Sequence, residues 1–142
     1  MKIEQSEIDG AVTWTLSRAA RAIEHTMTEI IQSYGLSAVQ FGVLVQLSSN
    51  GPMTRAELAR ATMVRPQSMA GVIDGMVEAA MLEFSGAGGR GRANPLVPTT
   101  KGATLIDAVW PQFVEANSAE HLGLTEDEAT TLNAILHRLR SL

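Results

Sequence analysis

Residues 54–92 read TRAELARATMVRPQSMAGVIDGMVEAAMLEFSGAGGRGR, and the rest of the chain is organised around them. Thr54 and Glu57 stand three apart at the head of this run, the spacing at which a hydroxyl and a carboxylate cap one another's backbone amides. A helix therefore begins at Thr54 and turns Leu58, Ala59 and Thr62 to one side. Met63 and Val64 make a turn. Pro66 then takes the first position of a second helix, where its missing N–H is no loss and its fixed φ fits, with Arg65 as the residue before it. Met69, Val72, Ile73, Met76, Val77 and Ala80 recur at helical spacing as a narrow apolar stripe. The opposite face, with Gln67, Ser68, Ala70, Gly71, Asp74 and Gly75, is small and polar, so a partner as broad as a DNA major groove can approach it closely.

Beyond that helix, Leu82 and Phe84 alternate as in a strand, four glycines fall between Ser85 and Arg92, and Leu96 and Pro98 resume the alternation. The glycines mark a hairpin tip whose only charges are Arg90 and Arg92, cations suited to a phosphate backbone or a narrow minor groove. Helix, turn, helix and hairpin together spell a winged helix-turn-helix. The predicted fold is mostly α with a small β wing.

Working outward, Ile8, Val12, Leu16, Ala20, Ile23, Met27, Ile30, Ile31 and Tyr34 recur at helical steps and predict one long helix from Ser6 to Tyr34, capped by Gly35. Ser37 and Gln40 repeat the capping-box spacing ahead of a helix that is apolar around much of its girth and is expected to be the hub. Asn50-Gly51-Pro52 ends it. Thr99 caps a further helix, and Thr125 with Glu128 opens the last, whose stripe is Ala129, Leu132, Ile135, Leu136, Leu139 and Leu142. The expected organisation is a single domain over 1–142, with the winged unit at 36–99 and dimerisation helices at 1–35 and 100–142. The terminal stripes exceed what one compact domain covers, so two-fold pairing with a second copy is expected. Such pairing sets two recognition helices about 34 Å apart, the spacing that reads palindromic sites.

Composition narrows the function. With 142 residues, 45% of them hydrophobic, the chain has material for one core, and no apolar run approaches the roughly 18 residues of a membrane span. No membrane association is expected, and an N-terminus carrying Glu4, Glu7 and Asp9 lacks the pattern of a signal peptide, which points to the cytoplasm. The absence of cysteine excludes disulfides and thiolate metal sites. His25, His121 and His137 are scattered, with no metal-ligand pairing and no nucleophile motif, so neither catalytic residues, a metal nor a cofactor is expected. The net charge of −4 hides a split: residues 54–101 hold six bases against four acids, the remainder five against eleven. A locally positive unit inside an acidic chain suits docking on a polyanion.

The ordered segments Gly35-Leu36-Ser37 with Gln40-Phe41, Gly51-Pro52-Met53-Thr54, Glu57-Leu58-Ala59, Val64 to Met69, Ile73-Asp74 and Thr99 to Gly102 together resemble the multiple-antibiotic-resistance regulator (MarR) family over nearly the full length. The resemblance implies a homodimeric, ligand-responsive transcription factor, usually a repressor, on a palindromic double-stranded DNA operator. It places Gln67 and Ser68 at base edges, Arg55 and Arg65 at phosphates or flanking bases, and Arg92 on the wing; Thr54, Gly71 and Arg90 complete the implied contact surface. It further implies a small aromatic or phenolic effector between the dimerisation helices and the winged unit, with Trp14, Arg18, Tyr34 and Phe41 as candidate lining. Two positions depart from the pattern. Arg90 stands where many wings carry an acid, which implies a looser and more cationic wing, and Gly71 where the helix often carries a base. The bare glycine face and the modest excess of two bases over residues 54–101 leave a winged protein-interaction module with weak or lost DNA binding as the alternative function.

Overall fold

The computed structural model describes residues 2–86 and 94–140. In order these form α1 (Gln5–Asp9), α2 (Val12–Ser33), α3 (Ala38–Asn50), α4 (Arg55–Ala61), α5 (Pro66–Glu78), β1 (Leu82–Phe84), β2 (Leu96–Pro98), α6 (Thr100–Ala116) and α7 (Glu126–Leu139).

The core is built on α3. Phe41, Val43, Leu44 and Leu47 are buried on different sides of this helix, which packs against α2, α4, α5, α6 and β2. Full burial of a side chain such as Leu44 contributes roughly 2 kcal/mol of transfer free energy. Capping boxes fix where helices begin: Ser37 with Gln40, Thr54 with Glu57 and Thr125 with Glu128 each exchange backbone and side-chain hydrogen bonds, as their spacing predicts. Behind the wing, β1 and β2 pair antiparallel with Leu82 opposite Pro98 and Phe84 opposite Leu96. Met53 joins this sheet, which sequence reading did not foresee. Its amide donates to Leu96 O at 3.2 Å and its carbonyl accepts from Leu96 N at 2.8 Å, so the chain two residues ahead of α4 is stitched to β2.

Helix ends supply two corrections. The predicted single helix over 6–34 is broken: Gly10 ends α1, and Ala11 takes an extended ψ of 104° before α2 starts. Glycine in a helix costs about 1 kcal/mol relative to alanine, and here the chain leaves the helix at that weak point. At the far end, Leu36 N donates to Ile31 O and Gly35 N to Gln32 O, with Gly35 at φ +73°, a left-handed cap closed by the buried pair Ile31 and Leu36. The same motif ends α5 without a glycine. Met81 N donates to Met76 O and Ala80 N to Val77 O, which forces Ala80 to φ +58°. Ala80 is thus exposed beyond the helix, and the apolar stripe of α5 stops at Val77.

A side chain in this left-handed region is strained by about 1 kcal/mol or more. Ala80→Gly is therefore expected to raise the melting temperature by about 3 °C. An unchanged or lower value in a thermal melt would show that the turn after α5 is not strained.

Candidate nucleic-acid interface

On α5, Met69, Ile73 and Met76 are fully buried, and this stripe turns the other side of the helix outward. Arg65 is its N-cap and makes no side-chain capping bond, so its guanidinium stays exposed beside Pro66, Gln67 and Ser68. Gly71 and Gly75 follow on the same exposed side, and a Cβ built on either meets nothing within 4 Å. No neighbour among the described residues demands glycine there. Their effect is a helix surface whose backbone an outside body can approach.

Thr54 and Arg55, grouped with these by sequence reading, are engaged within the chain. The Thr54 hydroxyl accepts from Glu57 N at 3.3 Å and donates to Glu57 Oε2 at 3.0 Å. The Thr54 amide, then that hydroxyl, hold the Glu57 carboxyl below its usual pKa. Its contribution to stability is thus present above the ordinary carboxylate range and fades as pH falls through the lowered value. The Arg55 Nη2 donates to Asp74 Oδ1 at 2.6 Å, and its Cζ sits 5.7 Å from the centroid of the Phe84 ring. Arg90 and Arg92 lie outside the described residues.

The far end of α5 is fastened to α6. The amide of Thr99 donates to Met81 O at 3.0 Å, its hydroxyl to Ala80 O at 2.6 Å, and the Lys101 ammonium to Ala79 O at 2.8 Å. The Ala79 carbonyl, open at the C-cap of α5, and the carbonyls of Ala80 and Met81 just beyond the helix are thereby satisfied, with a cation where the helix dipole favours one. Sequence reading took Thr99 only as a cap and assigned Lys101 no partner. The available signal was Lys101 itself, a cation in the first turn of α6, where its own helix dipole disfavours it.

The four candidate effector residues are split within one chain. Trp14 and Arg18 flank an open groove on α2 with Asp9, Thr15 and Ala19. Tyr34 and Phe41 lie at the other end, since twenty residues of helix separate Trp14 from Tyr34 by about 30 Å. Phe41 is buried against Phe113, ring centroids 5.0 Å apart, and Phe113 stacks on Trp110 at 5.4 Å. The Tyr34 hydroxyl accepts from Gln112 Nε2. No group of three or more His, Asp or Glu that could hold a metal ion occurs among the described residues. No single described helix is long and apolar enough to cross a membrane.

The profile of the MarR family matches residues 34–93. Two similar sequences are the HTH-type transcriptional regulator PecS of Dickeya dadantii, 27% identical over 131 residues (90% of this chain and 79% of that one), and the HTH-type transcriptional repressor NicR of Pseudomonas putida, 30% identical over 107 residues (75% and 66%). A solved structure describing regulation of DNA binding of Bordetella bronchiseptica BpsR by 6-hydroxynicotinic acid superposes with a TM-score of 0.82 at 20% identity. It covers all of this chain and 99% of that one, a likeness of fold.

Proposed function

The chain belongs to the MarR family, and from that premise we propose that it is a sequence-specific DNA-binding transcriptional regulator that acts as a homodimer on a palindromic operator. The observation that carries this reading is the N-terminal half of α5. It is anchored from behind by Met69, Ile73 and Met76 and exposes Arg65, Gln67, Ser68 and Gly71 with no part of the described chain across them. A helix so presented fits a major groove with its first residues at the base edges. Arg65 then meets phosphate, and the resemblance assigns Arg90 and Arg92, outside the described residues, to the flanking backbone or minor groove.

Repression under the control of a small aromatic acid is supported by the names of the relatives, one a repressor and another regulated by 6-hydroxynicotinic acid. Because Trp14 and Tyr34 stand at opposite ends of α2, a ligand cleft using both needs two copies of the chain. An effector there would act by binding one separation of the recognition helices better than another.

Selection of bound duplexes from a random pool tests this function directly. A palindrome with half-sites about one helical turn apart is the expected product. Gln67 has the amide geometry for adenine N6 and N7, so Gln67→Ala is expected to lose discrimination at one base pair per half-site, about 1 to 3 kcal/mol. Recovery of the unaltered motif by the variant would remove Gln67 from base readout, and recovery of no motif by the parent protein would remove the function itself.

A further inference from the structure

The Arg55 side chain joins three elements. It leaves the first residue of α4, donates to Asp74 midway along α5, and lies over Phe84 at the end of β1. Asp74 sits 19 residues further on, so this pairing exists only because the helix-turn-helix has folded. A planar guanidinium can stack on a ring and donate in its own plane at once, which an ammonium on a flexible stem does not reproduce. Phe84 is 41% exposed, a large ring left at the surface with the guanidinium near its face. The contact ties the recognition helix to the strand that leads into the wing, the two parts that must meet DNA at a fixed separation. It also places a carboxylate against the cation, so Arg55 and Asp74 together add little net charge to this face.

We infer that Arg55 is a positioning residue, not a phosphate ligand: it sets the wing against the recognition helix through Phe84 and Asp74, and Asp74 keeps its charge from the DNA backbone. This inference rests on the DNA-binding function proposed above, but its tests separate the two.

The first test needs no DNA. Thermal melts of Arg55→Ala, Asp74→Asn and the double variant are expected to be non-additive, with the double variant melting no lower than the worse single one. Additive losses would overturn the inference whether or not the protein binds DNA. The second follows affinity for operator and for random duplex against salt. Arg55→Ala and Arg55→Lys are both expected to keep the parental salt slope and to lose about tenfold of the operator-to-random ratio, an effect the size of one mismatched base pair. Asp74→Asn frees the guanidinium and is expected to steepen the random-duplex slope by about 0.9, one further phosphate neutralised. A slope shallower by about that amount in Arg55→Ala and restored in Arg55→Lys would make Arg55 a phosphate ligand and overturn the inference, as would an unchanged slope in Asp74→Asn. A parental protein without specific binding would defeat the regulator function, leaving the melting cycle to decide the contact.

Discussion

Gly102→Ala is expected to destabilise the fold by about 3 kcal/mol or more, the upper range for overpacking a filled site. In an exposed helix the same change is worth about 1 kcal/mol in the opposite direction, so the sign of the effect is the test. The cause is a close approach of two backbones. A Cβ on Gly102 would lie 2.2 Å from Met81 O and 3.3 Å from Leu44 Cδ2. Neither side can retreat cheaply. Met81 O already accepts from Thr99 N, Gly102 N donates to Thr99 Oγ1 at 3.2 Å, and Leu44 is fully buried in the hub. The methyl group must therefore push α6 away from the end of α5 and break the fastening made by Thr99 and Lys101. Chemical denaturation that finds the variant as stable as the parent, or more so, would show that the start of α6 is free to shift. If the variant folds in the cold, its operator affinity should fall as well, because the same contact fixes the angle of the recognition helix.

The second large effect concerns α7. This helix buries none of its residues and packs only lightly on the rest of the chain. It leaves Leu132, Ile135 and Leu139 between 38 and 44% exposed, facing an apolar groove shared with Val12, Leu16 and Ala19 of α2. A second copy seated on this face would bury all of them. Ile135→Asp should then abolish the dimer while leaving the monomer folded, since at 39% exposure the new carboxylate stays solvated within one chain. Losing the second half-site contact removes its effective concentration, so operator affinity is expected to drop by about 10²- to 10⁴-fold. Sedimentation would report the mass and circular dichroism the retained helix. A variant that still sediments as the parent does would place the dimer interface elsewhere.

Much of this molecule is legible in its amino acids. The capping boxes at Ser37, Thr54 and Thr125, the proline that opens α5 and the glycine after Tyr34 act over three or four residues, so spacing alone locates them. The buried stripe of α5 and the girth of α3 follow from periodicity, and with them the exposed helix start at Gln67 and Ser68. Where local signals compete, the reading failed. Residues 6–34 keep an unbroken apolar period through Gly10, which hides the break, and Ala80 continues the stripe of α5 in register although the turn at Met81 pulls it out of the helix.

What the sequence determined by itself is therefore the order of the elements from α2 onward, most of their ends and the faces that α3 and α5 bury, because these depend on interactions within a turn or two of helix. Only the tertiary structure decided that Met53 completes the wing sheet, that Lys101 serves the end of α5, and that Arg55 belongs to Asp74 and Phe84. Those partners lie 19 to 43 residues apart in the chain. Many side chains of suitable charge or shape compete for each role at that range, and only the packing of α3, α4, α5 and the wing around a common core brings one of them within hydrogen-bonding reach.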